Sequence, residues 1–221
     1  MASGIALKFQ GSKFYVQTGL NGGSPSIAIT AITKADPPVV TANAHGKLSG
    51  EPVYISGVVG MTELNGGYYI VQNALTNTFE LADIDSSGYT TYISGGLIDE
   101  PGFGNWCELT GYNAQGGTAP EIDTTTICSV AAENVLGLPD RGTLTLDFNF
   151  APLTGIQLAL QTSQREGTIL TYRLLLPTPG TNGIVTFFGR VQSLSFQGAV
   201  GGKHTGSLTV RLTGDYYVSA V

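Results

Sequence analysis

The chain has 221 residues, is 42% hydrophobic and only 12% charged, and carries a formal net charge of -6. This length and hydrophobic content suffice for a packed core, which excludes an intrinsically disordered protein. The ten basic residues are scattered along the sequence, which argues against a surface that grips duplex DNA, and no hydrophobic run is long enough to span a membrane.

The residue types favour strands and turns. Glycine is frequent, with 31 residues, and occurs beside many Thr, Ser, Val and Tyr, so a mainly β fold is expected. The low charge predicts that the chain covers additional surface by assembling with other copies. Cys107 and Cys128 are expected to be reduced, buried thiols, with a disulfide as the alternative. No secretory leader is expected, so the protein should be made in a cytoplasm.

Two strands are predicted near the N-terminus, at residues 13–18 and 27–33, with the turn-forming run 21–25 between them. From residue 35 to 96, short strands alternate with frequent turns, which predicts a small all-β module inserted into a larger domain. The Asn65-Gly66 pair indicates a hairpin with a type I′ turn, in which both turn residues have positive φ.

Two helices are predicted in the C-terminal half. Apolar residues in helical spacing indicate one over residues 124–136. The second covers residues 153–166, where Thr154 and Gln157 have the spacing of a capping box and Gly167 can end the helix.

Four strands are predicted around these helices, at residues 142–150, 168–176, 185–197 and 207–217. In the first and the last, apolar side chains alternate with an entirely polar second face. Pro177 ends the second strand, because proline cannot donate to a ladder. The edges of this strand are expected to be buried on assembly. In the third strand the apolar alternation changes phase, which predicts a bulge near Gln192.

Catalytic, metal-binding and cofactor-binding residues are not expected. His45 and His204 are the only histidines, and both are predicted to lie in turns or loops. Residues 83–88 begin like a calcium-binding loop, but Ser94 stands where a bidentate glutamate is needed, so a hairpin turn is favoured. A sugar-stacking surface is the alternative to a packing role for five aromatic residues, namely Trp106, Tyr68, Tyr69, Tyr89 and Tyr92.

The inserted block resembles the small β module that recurs in phage virion proteins and is labelled by its similarity to a domain of ubiquitin-activating enzymes. The resemblance depends most on the run Gly-Met-Thr-Glu-Leu-Asn-Gly at residues 60–66. It implies a separately folded module at residues 35–96 and no ubiquitin chemistry. We expect this module to face outward from any channel.

The remainder, residues 1–34 and 97–221, resembles the tail tube family of long-tailed phages. The matching motifs, in chain order, lie at residues 106–110, 137–144, 188–191 and 208–214. The resemblance implies a β-sandwich or barrel-forming domain with one flanking α-helix. It also implies hexameric rings that share an inner β-barrel, stack into a tube and conduct DNA during genome ejection.

On this basis the polar strand faces are expected to line the lumen, with an ordinary solvent-facing sheet as the alternative. The candidates are Asp147, Asp215, Thr143, Thr145, Asn149, Thr209, Arg211 and Thr213. The glycine-rich loop 113–120 is expected to reach the next ring, through Asn113, Gln115, Gly116 and Gly117.

The expected partners are further copies of the chain, a tape measure protein and other tail proteins, DNA in passage, and a host surface that the module contacts. The expected location is the virion; the alternative function is a host-glycan-binding tail fibre or baseplate component.

Overall fold

The computed structural model describes residues 10–20, 24–177 and 183–220. Within these ranges the fold is mainly β, as expected, and contains one α-helix. The predicted turn residues 21–23 and the first nine residues lie outside them. In chain order the elements are β1 (Lys13–Leu20), β2 (Ile27–Ala28), β3 (Ala31–Ile32), β4 (Val39–Thr41), β5 (Pro52–Val59), β6 (Gly67–Gln72), β7 (Thr78–Leu81), β8 (Ser94–Asp99), β9 (Pro101–Asn105), β10 (Leu109–Gln115), β11 (Glu121–Asp123), β12 (Asn134–Leu136), β13 (Thr143–Asn149), α1 (Gly155–Glu166), β14 (Ile169–Leu176), β15 (Gly183–Gln197), β16 (Thr205–Leu212) and β17 (Tyr217–Ala220).

The chain divides into two compact units. The first contains residues up to Cys107, the segment Thr171–Phe187 and the chain from Tyr216 onward. The second contains Glu108–Leu170 and Phe188–Asp215. The inserted module belongs to the first unit; its outward orientation stays a prediction.

A seven-stranded antiparallel sheet forms the module, in the order β2-β8-β5-β6-β7-β4-β3. Its core contains Val40, Ile55, Leu64 and Phe79, which are almost completely buried. The sheet begins at Ile27 and ends at Asp99, several residues beyond the predicted module at each end.

The predicted hairpin at Asn65-Gly66 is present as the antiparallel pair β5–β6, but the type I′ turn is wrong. Asn65 has φ -70° and ψ 134°, and only Gly66 has a positive φ, of 80°. The Asn65 side-chain amide donates to the carbonyl of Val58 and accepts from its N–H, both at 2.8 Å. These two hydrogen bonds hold Asn65 in the extended conformation.

The other sheet strands of the first unit follow the order β9-β1-β14-β15, and β17 pairs with the beginning of β15. Phe14, Val16 and Tyr172 are buried on one face, and the Phe14 ring centroid lies 6.5 Å from that of Trp106. Because β14 lies between β1 and β15, its edges are already paired. The expectation that assembly buries the edges of residues 168–176 is therefore wrong.

The Tyr172 hydroxyl is buried and finds no hydrogen-bond partner in the part of the chain that the structure describes, and burial raises the pKa of this side chain. We expect Tyr172→Phe to raise the free energy of unfolding by about 1 kcal/mol, because an unsatisfied buried polar group is removed at constant shape. Tyr92→Phe is the matched control; it should lower stability, since the Tyr92 hydroxyl bonds the Gly95 carbonyl at 2.9 Å. Denaturant unfolding followed by the fluorescence of Trp106, the single tryptophan, measures both. Destabilisation by Tyr172→Phe would contradict the prediction.

The second unit contains the sheet order β10-β13-β16-β15, helix α1 and the pair β11–β12. Leu144, Leu146 and Phe148 of β13 are buried, as the predicted alternation requires. The register of β15 against β16 shifts between Val191 and Ser193, which confirms the predicted bulge. The bulge places the Leu194 side chain on the apolar face of the sheet and the Ser195 side chain on the polar face.

Helix α1 agrees with the predicted helix, and Gly167 ends it with a φ of 67°. The capping box is absent. The Gln157 side chain instead accepts from Ala151 N–H at 2.9 Å and donates to the Asn149 carbonyl at 3.1 Å, which links the helix to the end of β13. The predicted burial of Cys107 and Cys128 is also wrong: both thiols are free and exposed.

Candidate functional site: a polar sheet face and an apolar hairpin

One face of the second unit's sheet is polar across four strands. Residues directly opposite each other on neighbouring strands point to the same face. The register places Asn113, Thr145, Thr209 and Ser193 in one such row. We define the polar sheet face by this row and the rows on either side of it, with members Gln115, Thr143, Arg211, Arg190, Asp147, Ser207, Ser195, Asn149, Thr205 and Gln197. Each of these side chains is half-buried or exposed.

Six of the eight predicted lumen residues lie on this face. The other two, Thr213 and Asp215, follow the end of β16 at Leu212, so the predicted strand 207–217 is too long. Gly214, with a φ of 77°, lies between Thr213 and Asp215 and interrupts the alternation. A role of any of these residues in a lumen stays a prediction.

Asn113 and Gln115 lie on the polar sheet face, not in a loop. Both belong to β10 and pair with Thr145 and Thr143. The prediction of an irregular segment from residue 113 is therefore wrong. The glycine content of the segment favoured a loop, but β13 supplies a strand with which Asn113 and Gln115 pair. Gly116 and Gly117 do lie beyond the end of the strand.

The four residues that β15 contributes to this face, Arg190, Ser193, Ser195 and Gln197, were not among the predicted candidates. Ser193, Ser195 and Gln197 alternate with Leu194 and Phe196, so the sequence pattern indicates their shared face once the bulge has been placed. Ser195 donates to the Ser207 carbonyl at 3.2 Å and ties the two strands together.

The charges at one end of the face are largely paired. Arg211 lies 2.8 Å from Asp140, and Arg141 pairs with Asp215. The Gly142 backbone N–H, followed by Arg211, lowers the pKa of Asp140. Arg190 lies across from Arg211. At the other end, Asp147 is the acidic residue of a shallow cleft of about 330 Å³ that includes Ser195 and Ser207.

The pair β11–β12 and the loop between them form a hairpin that buries almost nothing. We call residues 121–138 the apolar hairpin, because six large hydrophobic side chains are exposed on it: Ile122, Ile127, Val130, Val135, Leu136 and Leu138. The predicted helix at 124–136 is wrong. Thr125 N–H bonds the Asp123 carboxylate at 2.8 Å, and Glu133 N–H bonds the Thr125 hydroxyl at 3.0 Å. Such side-chain bonds compete with helical hydrogen bonds.

The remaining sequence candidates have packing roles. His45 is buried; its Nδ1 accepts from Lys47 N–H at 3.0 Å and its Nε2 lies 3.3 Å from the Thr78 carbonyl. Residues 83–88 form a loop between the non-adjacent strands β7 and β8, so the predicted hairpin turn is wrong. The buried Ser86 hydroxyl anchors this loop to the backbone of Ala35.

In the described chain, His, Cys, Asp and Glu residues form no cluster that could hold a metal ion. No helix within residues 10–20, 24–177 and 183–220 is long and apolar enough to cross a membrane.

Comparison with known proteins identifies similarity for the module. Residues 37–101, which include β4 to β8, match the family described as the ubiquitin-activating enzyme E1 FCCH domain. The chain is 37% identical over 89 residues to ubiquitin-like modifier-activating enzyme 1 of Oryctolagus cuniculus and 35% identical over 89 residues to that of Homo sapiens. Each alignment covers 38% of this chain and 8% of the relative's length. The predicted similarity of the inserted block to a domain of ubiquitin-activating enzymes is thus confirmed, and its relation to phage virion proteins stays a prediction.

Proposed function

We propose that the chain is a structural, non-enzymatic subunit of the tail tube of a long-tailed phage, assembling as stacked hexameric rings around a channel for DNA. The polar sheet face carries this proposal. Four strands present consecutive polar rows on one side, whereas Leu144, Leu146 and Leu208 are fully buried on the other. Such a sheet needs water along its polar side, and a water-filled channel supplies it.

Ring closure would use the edge of β10. In the part of the chain that the structure describes, β10 has β13 as its neighbour on one side and no strand on the other. A strand of another copy could pair with that edge, which would satisfy its free N–H and C=O groups and remove an aggregation-prone edge. The shared sheet would then continue from subunit to subunit.

Ring stacking would use the apolar hairpin in place of the loop at residues 113–120. Six exposed hydrophobic side chains on one hairpin form the kind of patch that soluble proteins reserve for an interface. Contact with a neighbouring ring would bury it. Copies of the same chain are the favoured partners, since a heterologous contact repeated around a ring builds a stacked tube.

The composition of the polar sheet face suits DNA passage. Hydroxyl and amide groups predominate; Arg211 is paired with Asp140, and Arg190 is the other cation of the face, with no ion pair among the described residues. Phosphates would find few free cations to bind, and Asp147 would repel them. The same proposal places the protein in the virion, with a tape measure protein and other tail proteins as partners, and assigns host contact to the module.

Negative-stain electron microscopy of the concentrated protein tests the proposal directly. Rings or tubes are expected. Trimeric spikes would favour the alternative, a host-glycan-binding tail fibre or baseplate component, and persistent monomers would overturn the tube. The aromatic surface suggested for that alternative does not form as expected, because Trp106 is buried.

Asp147→Lys is expected to leave tubes intact but to reduce infectious yield at least about tenfold in a virus assembled from the variant, because lysine would retain phosphates along the channel. Glu166→Lys is the control; it makes the same charge change on the exposed end of α1. An unchanged yield for Asp147→Lys, or an equal loss for both variants, would remove Asp147 from the channel wall.

A further inference from the structure

A cavity of about 440 Å³ lies within the first unit, between the module loop at residues 48–51 and one face of the strands β1, β14 and β17. Tyr15 and Phe103 supply aromatic walls, Arg173 and Glu51 supply charged groups, and Ser49 and Ser219 supply hydroxyls. The volume lies within the range of small-molecule sites. The module and the surrounding strands both contribute, so neither alone would contain this cavity.

Arg173 is the most unusual group in the cavity. Its guanidinium carbon lies 5.2 Å from the centroid of the Phe103 ring. Its Nε is buried and has no hydrogen-bond partner among the described residues. Burial lowers the pKa of Arg173, and the carboxylates of Glu51 and Glu100 oppose that shift only from a distance. A partly desolvated cation of this kind gains most from an anion that binds it directly.

The neighbouring charges leave Arg173 free for such an anion. Glu100 is paired with Lys47 at 2.8 Å. A carboxylate oxygen of Glu51 accepts the backbone N–H of Leu48 at 3.0 Å. The two acidic groups are therefore held by other partners, and no ion pair of Arg173 occurs among the described residues.

We propose that this cavity binds an acidic saccharide unit of the hexuronate class. The sugar carboxylate would bind the Arg173 guanidinium, and the apolar C–H face of the ring would stack on Tyr15 or Phe103. Hydroxyls of the sugar would bond Glu51 and the two serines; the Ser49 oxygen already accepts Ala74 N–H at 3.1 Å, so its O–H is free to donate. The site goes beyond the tube and does not depend on assembly, since all its residues lie in one unit of one chain.

The test is calorimetric or ligand-observed NMR titration of the full chain with galacturonate, galactose and phenylacetate. Galacturonate should bind in the millimolar range, at least about tenfold more tightly than galactose or phenylacetate. Arg173→Gln should weaken galacturonate binding at least about tenfold. Arg165→Gln, which removes an exposed cation of the second unit, should leave it unchanged.

Glu51→Gln is the second variant. It tests the effect of charge on the bound sugar carboxylate while Arg173 is kept, so it stays informative if Arg173→Gln does not fold. It should strengthen galacturonate binding a few-fold, because a negative charge near the sugar carboxylate is removed. If the wild-type chain fails to bind galacturonate at tens of millimolar, the proposal is overturned. The same holds if it prefers phenylacetate, or if galactose binds equally well.

Discussion

The double substitution Ile127→Asp and Val130→Asp is expected to abolish tube assembly without unfolding the subunit. Both side chains are fully exposed near the tip of the apolar hairpin, so they contribute no packing to the isolated chain. In a tube each would be buried against another copy, and burial of such a side chain contributes about 1.5–3 kcal/mol. Losing both would weaken the contact by about 3–6 kcal/mol, or two to four orders of magnitude in subunit affinity.

Sedimentation and negative-stain microscopy at matched concentrations measure this loss, and circular dichroism verifies the fold. Leu153→Asp with Val200→Asp is the matched control, because these residues are exposed elsewhere in the second unit. Tubes should persist in the control. If the hairpin variant assembles as the wild type does, the apolar hairpin takes no part in ring stacking; if the control also fails, the effect is one of charge alone.

Phe148→Ala is expected to lower the free energy of unfolding by about 3–5 kcal/mol, because a large ring is removed from a fully packed site. Phe148 is 1% exposed. Its ring lies against the opposite residue of β16, Gly206, where an added Cβ would approach the ring to 2.4 Å. Gly206 therefore provides the space that the Phe148 ring occupies. In Phe148→Ala the surrounding strands cannot readily close the cavity that the ring leaves.

Phe196→Ala is the matched control for this prediction. Phe196 is 66% exposed and stacks on Phe150, with the ring centroids 4.7 Å apart and the planes 8° from parallel. Its loss should cost about 1 kcal/mol or less. Thermal and denaturant unfolding followed by far-ultraviolet circular dichroism compares the two, since the single tryptophan lies in the other unit. Equal costs would show that Phe148 is not the packing centre of this sheet.

Local alternation was sufficient to predict much of the second unit. Leu144, Leu146 and Phe148 are buried because a strand turns every second side chain to the same face. The phase change near Gln192 predicted a bulge, because a one-residue insertion is the simplest way to keep the apolar side chains of both halves of β15 on the same face of the sheet. Gly167 ended α1 because its φ of 67° is available to glycine at little cost.

Where local patterns were ambiguous, specific hydrogen-bond partners decided the structure. Helical spacing at residues 124–136 was outweighed by Asp123 and Thr125, whose side chains bond the backbone of the hairpin. Asn113 and Gln115 were expected in a loop, yet β13 offers both a ladder partner. Asn65 suits a type I′ turn, but its amide binds Val58 instead. The β10–β13 ladder joins distant segments. The bonds of Asp123, Thr125 and Asn65 join near neighbours, and they prevail because a side chain bonds the backbone in place of the expected helix or turn.

The amino-acid sequence by itself determined that this protein is mainly β, that α1 ends at Gly167, and that β13 has one polar and one apolar face, because these features follow from side-chain alternation and backbone preference within a few residues. Its tertiary structure alone decided which polar strands lie side by side, that the apolar hairpin stays exposed, and that Arg173 lines a cavity with Glu51 and Phe103. Those arrangements depend on cross-strand register and on contacts between distant segments, which no local pattern encodes.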